Sequence, residues 1–283
     1  DVGALGALNG VRVLSMMGVV LGHVVLFNLF GTATSNKASL LNDYASSFDV
    51  TVLYFCFYAV DAFFLLSGFL MAFLVLKKLA ARARASAAGA AGTNGALLAA
   101  VAHRYLRLTP LVALAGLVMT YLVPLAGDGP FWVPFATASS PRGGVDGCKT
   151  DWWYVLTYTN NMLPFRDGNP AQANCIGWTW YLGAEFQLFL YALVGLACYL
   201  RSRAAGVAWL GAAVLVSALA CGILSHVHGI EPSIVSQGTS KYLYFFAWTR
   251  AAPFCVGVLL GMHWHERQRP AGERGDDDAA AEG

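Results

Sequence analysis

The strongest constraint on this chain is a set of six apolar stretches, at roughly 11–30, 50–76, 108–126, 178–200, 205–225 and 242–264. Each is long enough to cross ~30 Å of hydrocarbon, which takes about 20 apolar residues in a helix. None shows the strict alternation of a transmembrane strand, so the stretches read as helices. Composition agrees: Lys+Arg 18 and Asp+Glu 16 make 34 charges in 283 residues, where a soluble domain of this length would hold roughly 70. That deficit excludes an ordinary soluble globule, a disordered tail and a nucleic-acid binder. Six cysteines are too few for a disulfide-dense mini-domain. The expected fold class is all-α, a polytopic transmembrane helix bundle with about six spans.

Orientation follows from Lys and Arg between the spans. Lys77, Lys78, Arg82, Arg84, Arg104 and Arg107 lie between the second and third stretches, Arg201 and Arg203 between the fourth and fifth, and Arg267, Arg269 and Arg274 after the sixth. The opposite side carries Lys37, Arg142, Lys149, Arg166 and Lys241. Eleven against five makes the first side cytoplasmic, together with the N-terminus of this chain. A signal peptide fits the first stretch poorly, because Arg12 and His23 interrupt it and no clear cleavage site follows. The Ala/Gly-rich residues 80–100 read as a cytosolic linker or a frayed helix extension, and 270–283 as a solvated polar tail. The loop 127–177 faces outward and holds Cys148 and Cys175, a candidate disulfide on the oxidising side. Cys56, Cys198, Cys221 and Cys255 lie in apolar helices and read as packing residues.

Charges inside a bilayer are costly and mark cavities or pathways. His23, Asp61, Glu185 and Arg250 sit well inside the spans. At the helical rise, His23 lies about 16 Å in from Arg12, Asp61 and Glu185 about 22 Å deep, and Arg250 about 21 Å. Four helices thus place ionisable groups within about 6 Å of one another in depth. Arg12 and His23 are eleven residues apart, close to three turns, so they share one helix face. That arrangement suits a pore holding an elongated anion, with its charged end at the cytosol and its reactive end inside. Arg104 and Arg107 share a face at the cytosolic mouth, where paired guanidiniums suit phosphate.

Each residue also has a plainer reading. His23 alone is more often a helix–helix hydrogen bonder, Asp61 or Glu185 could pair with Arg250 to hold the bundle, and Arg104 and Arg107 could be positive-inside anchors that snorkel to headgroups. The pair reading leaves the histidine and the basic mouth unexplained. Ser67 is a weak candidate nucleophile, since no strained elbow accompanies it. No metal site is expected, because His226/His228 and His263/His265 are lone pairs at helix ends.

Five segments in order carry a resemblance. Arg12 through His23 is similar to the Arg-x10-His first helix of the acyltransferase family 3 membrane proteins. Asp61-Ala62-Phe63-Phe64-Leu65-Leu66-Ser67-Gly68 resembles their second helix, and Arg104-x-x-Arg107 their cytosolic Arg-x-x-Arg element. Trp180-Tyr181-Leu182-Gly183-Ala184-Glu185 resembles the Trp-x-Leu-x-x-Glu/Asp helix, and Arg250-Ala251-Ala252-Pro253-Phe254 through Gly257 the Arg-x-x-Pro-Tyr-x-x-Gly segment. The match spans roughly residues 8–263. The Cys148 loop, Trp152-Trp153 and Tyr158-Thr159-Asn160-Asn161 point to the animal, nose-resistant-to-fluoxetine-like branch. Glu185 stands where that branch more often has Asp, as in the bacterial O-acetylases, and Phe254 replaces the usual Tyr.

The resemblance implies acyl transfer from cytosolic acyl-CoA, the donor substrate, to a hydroxyl acceptor in or across the membrane, with no metal and no nucleic-acid partner. It places a transmembrane acyltransferase-like domain at 1–269. Further helices beyond it and a luminal domain ahead of it belong to the whole family bundle. Arg12, Arg104 and Arg107 would hold the CoA phosphates, and His23 would be the general base, its intrinsic pKa near 6.5 suiting the task. Glu185 or Asp61 would fix its tautomer, and Arg250 would stabilise the thioester oxyanion or pair with a carboxylate. The competing class is a proton-coupled transporter or lipid carrier using the same buried groups. Against it, the helices lack matching Gly/Pro breaks in two halves.

Overall fold

The computed structural model describes residues 2–30, 48–85, 90–129, 132, 145–163, 165–166, 169–170, 175–230 and 239–268. The polar tail 270–283 and Lys37, Arg142, Arg269 and Arg274 of the orientation count lie outside the described residues. Among the described residues there are seven α-helices: α1 Val2–Phe30, α2 Phe48–Ala85, α3 Ala90–Leu117, α4 Val145–Leu156, α5 Trp180–Arg201, α6 Arg203–Val227 and α7 Ala251–Arg267. Two strands of two residues each, Phe165–Arg166 and Asn169–Pro170, pair antiparallel in the loop before α5. Among the described residues five helical segments are long and apolar enough to cross a membrane: Gly6–Val24, Tyr58–Ala81, Asn94–Leu125, Gly177–Arg201 and Arg203–Val227. The all-α polytopic bundle expected from the sequence is the architecture observed.

In lipid, apolar surface gives helices no reason to associate, so small residues that allow close backbone approach decide the contacts. The closest pair is α2 with α7. A methyl group on Gly68 would overlap the carbonyl of Phe254, one on Gly257 the carbonyl of Leu65, and one on Gly261 the carbonyl of Phe69. Phe64, Ala72, Phe254, Cys255 and Val258 are sealed from solvent around this crossing, joined by Ala184, Ala192 and Leu196 of α5 and Leu210 of α6. α1 meets α2 through a narrow stripe: Ser15 is buried, Gly18 faces Ala59 and Gly22 faces Cys56. Its other faces expose Val13, Leu14 and Met17, as a lipid-facing helix does.

The structure moves two sequence boundaries. The third span is not confined to 108–126: α2 runs on to Ala85 and α3 starts at Ala90, so most of 80–100 is helix. The alanines there favour helix strongly, and the apolar window opens at Asn94. Arg104 therefore lies about 15 Å inside that span rather than at its opening. Pro110 is accommodated within α3, which loosens after Leu117 into a π turn, Val118–Leu122, and a 3-10 turn, Val123–Leu125.

The sixth stretch, 242–264, is broken rather than one continuous helix. A π turn covers Thr239–Tyr244, and α7 begins only at Ala251 with Arg250 as its N-cap. Side chains at the break take backbone acceptors: the Arg250 Nε donates to the Tyr244 carbonyl at 3.0 Å, and the Thr249 hydroxyl to the Phe246 carbonyl at 2.9 Å. Pro253, lacking an N–H, falls in the first turn of α7, where none is needed.

At the other turn of the bundle, Ser202 alone links α5 to α6, ending one helix in an extended conformation and capping the next by accepting from the Ala205 N–H. Arg203 binds Glu266 at 2.7 Å, and the Tyr199 hydroxyl donates to the same carboxylate, so this link is tied to the end of α7. α4 packs against Val112 of α3 and Met119 of the π turn after it, and the Cys148–Cys175 disulfide fastens it to the segment that leads into α5.

Candidate active site

A cavity of about 600 Å³ opens between α1, α2, α3 and α5. Its walls follow helical periodicity. Ala96, Ala99, Ala100, His103, Arg104 and Arg107 form one face of α3, and a face of α2 from Phe63 to Leu79 stands opposite. The polar groups on that α2 face are Ser67 and Lys78. Arg12 closes the chamber from α1. Five basic or titratable nitrogen groups (Arg12, Lys78, His103, Arg104, Arg107) thus line it, with no carboxylate among the lining residues. A cleft of one sign with low-dielectric walls concentrates ions of the other, so the chamber's lining suits an anion with an apolar portion.

Arg104 is the residue that ties the chamber to the buried interior. Its guanidinium binds Glu185 of α5, approaches the Ser67 hydroxyl at 3.5 Å and lies 4.4 Å over the Phe189 ring. Glu185 is 2% exposed and accepts a second hydrogen bond, from Ser67 Oγ. The Arg104 Nε is buried in the wall without a hydrogen-bond partner. An unmet donor of that kind costs free energy.

Arg250 forms a separate pair. Its Nη1 donates to both oxygens of Asp61, at 2.9 and 3.0 Å, and its guanidinium lies 4.6 Å from the Tyr244 ring centre. Neither residue lines the cavity. The sequence allowed Arg250 to pair with either carboxylate; Asp61 is the partner, and Glu185 goes to Arg104. His23 also stands outside the lining. Its Nδ1 is 2.8 Å from the Val19 carbonyl. A carbonyl only accepts, so Nδ1 carries the proton and Nε2 is the basic nitrogen. The Val19 carbonyl thus holds the imidazole from within the same helix.

A third polar cluster was not read as a site from sequence. Gln187 donates to the Tyr158 carbonyl and to Asn161 Oδ1, each at 2.8 Å, while Asn160 donates to Thr179 at 2.9 Å. Gly183 leaves room for both asparagine oxygens. Tyr158 holds a φ of +57°, rare for a bulky residue. It stacks on Phe186 at 4.6 Å, edges against Tyr105 at 5.9 Å and bonds Thr109 at 3.1 Å. Burial pushes its phenol pKa up, with the Thr109 bond working the other way. These rings flank the two residues next to them in sequence, Glu185 and Arg104. The sequence uses Lys78 only for orientation and leaves His103 aside; its i, i+4 spacing with Arg107 is the signal that His103 shares the α3 face, whereas Lys78 comes from α2 and no spacing reports its approach. Among the described residues no group of three His, Cys, Asp or Glu side chains is placed to hold a metal ion.

Comparison with known proteins agrees with the motif order. The chain is 29% identical over 269 residues to the nose resistant to fluoxetine protein 6 of Caenorhabditis elegans, covering 90% of this chain and 31% of the relative. It therefore spans about a third of the length of that relative. No solved structure matches it. Residues 5–271 match the model of the acyltransferase domain. Motif order, helical architecture and this near-complete match agree: the chain belongs to acyltransferase family 3.

Proposed function

We propose that the protein is a membrane-bound O-acyltransferase that moves an acyl group from cytosolic acyl-CoA to a hydroxyl acceptor in or across the bilayer. The observation that carries this reading is the cationic chamber: Arg12, Arg104 and Arg107, drawn from α1 and α3, converge on one cavity with an apolar wall. Arg107 and Arg12, with Lys78 and His103 beside them, would hold the CoA phosphates. The pantetheine arm would run along the apolar α2 face of the chamber. In the net reaction the acceptor oxygen bonds the acyl carbon, the carbon–sulfur bond breaks, and the acceptor's proton ends on the CoA thiol. His23, basic at Nε2, would take that proton from the acceptor; such a base is typically worth about 10²–10⁴ in rate. Arg104 would stabilise the negative oxygen formed in transit. Asp61 and Arg250 would fix the α2–α7 geometry rather than touch substrate.

The test is acetyl-CoA binding followed by turnover. Protein in lipid nanodiscs should be thermally stabilised by acetyl-CoA, and Arg104→Ala/Arg107→Ala should abolish that shift. His23→Ala should keep the shift and lose transfer of labelled acetyl groups to hydroxyl acceptors. Absence of any CoA-thioester binding, together with pH-dependent lipid uptake into vesicles that needs no CoA, would establish the carrier instead.

A further inference from the structure

We infer that Ser67 carries the acyl group covalently, so that transfer passes through an acyl-serine ester on α2. The inference rests on the acyltransferase reading and adds a residue to it. Ser67 is the one aliphatic hydroxyl among the residues lining the chamber. A serine inside a membrane helix ordinarily bonds the carbonyl one turn back. This one instead donates to a buried carboxylate on another helix, with the Arg104 guanidinium beside it. Nucleophile, base and cation are therefore assembled at one point of the wall. The strained elbow that activates other serine nucleophiles is absent because Glu185 supplies the activation.

Charge conservation makes the step feasible in a low-dielectric site. Before reaction the cluster holds one ion pair, Arg104 with Glu185. As Ser67 Oγ bonds the thioester carbon, its proton passes to Glu185 and the carbonyl oxygen becomes negative. Arg104, whose Nη2 lies beside Ser67, then pairs with that oxygen. One cation and one anion are present throughout, so no net charge is created in the interior. Loss of Arg104's attention to Glu185 also makes the carboxylate more basic as it receives the proton. Collapse breaks the carbon–sulfur bond, and the departing thiolate takes the proton from Glu185, leaving acyl-Ser67, the carboxylate and free CoA thiol. In the second half the acceptor oxygen attacks the ester and gives up one proton, Oγ regains one, and the carbon–Oγ bond breaks. The sum is thioester plus alcohol to ester plus thiol.

Position is fixed by the neighbouring residue. Gly68 packs against the Phe254 carbonyl with no room for a side chain, which seats α2 closely on α7 next to Ser67.

The test uses the full chain in nanodiscs with acetyl-CoA and no acceptor. An acyl-enzyme requires that labelled free CoA exchange into acetyl-CoA, and that hydroxylamine-labile acetyl label appear on the peptide containing Ser67. Ser67→Ala should lose exchange by at least about 1000-fold while keeping the acetyl-CoA thermal shift. Ser67→Cys should retain label as a thioester, which guards against a folding defect in the first variant. Transfer to acceptor by the wild-type chain with no CoA exchange, or transfer retained in Ser67→Ala, would overturn the covalent step and leave the acyltransferase reading intact. Failure of the wild-type chain to bind or turn over acetyl-CoA would overturn both.

Discussion

Removing Asp61 tests whether the Asp61–Arg250 pair holds the bundle. The structure gives Arg250 four attachments: two charge-assisted bonds to Asp61, one bond to the Tyr244 carbonyl, and the face of the Tyr244 ring. Asp61→Ala removes the first two and leaves a guanidinium side chain that is only 15% exposed. Deleting one partner of a buried pair costs about 3–5 kcal/mol. The lower end, about 3 kcal/mol, applies here, because Asp61 is 24% exposed and Arg250 keeps its Tyr244 contacts. Arg250→Met should cost as much, since it strands the carboxylate and unties the break before α7. The double variant should cost less than the sum by about 2 kcal/mol, the coupling of the two charges. Reversible unfolding by a titration of sodium dodecyl sulfate into mild detergent, followed by tryptophan fluorescence, measures all four corners of the cycle. Additive losses would refute the pair as a structural unit. So would loss of acetyl-CoA binding in the refolded double variant, because neither side chain lines the chamber.

Three other perturbations follow from contacts outside the chamber. Gly257→Ala and Gly68→Ala each drive a methyl into a backbone carbonyl; each should destabilise the α2–α7 contact by about 1–3 kcal/mol or more, read as a lowered midpoint in the same detergent titration. Cys148→Ser opens a disulfide with a sequence separation of 27, which the chain-entropy account values at about 3–4 kcal/mol; proteolysis should then cut between α4 and α5 faster while α2 and α7 stay protected. Gly183→Ala sets a methyl 2.9 Å from both asparagine oxygens, and infrared bands of the side-chain amides should shift as the Gln187 network is displaced.

Much of this was legible in the sequence because depth in a membrane helix is set by counting residues. The rise per residue put His23, Asp61, Glu185 and Arg250 at similar depths from spacing alone. Which acid meets which base depends on how each helix is rotated about its axis, and the spans are apolar all round, so no hydrophobic stripe reports that rotation. Arg104 was assigned to the membrane edge because the alanines before it look like a linker; their helix propensity carries α3 back to Ala90 and takes Arg104 inward to Glu185. The break before α7 was hidden for a related reason. Residues 242–264 are apolar enough to read as one span, whereas the Thr249 and Arg250 side chains bind the carbonyls that a continuous helix would have kept.

The two arginine–carboxylate pairs differ in saturation rather than in chemistry. Arg250 meets both oxygens of Asp61, a carbonyl and an aromatic face, and stands away from the cavity. A pair so fully met has nothing left to offer a substrate, and it persists because it joins α2 to α7 at a break in the backbone. Arg104 borders the chamber with its Nε unmet, and its carboxylate shares itself with a hydroxyl that faces the same space. The unmet donor leaves that pair costlier to the resting fold than a saturated one. In the proposed transfer that unsaturated pair would act when a negative oxygen forms beside it. Arg104 would then exchange one anion for another without any change in the charge the membrane has to hold.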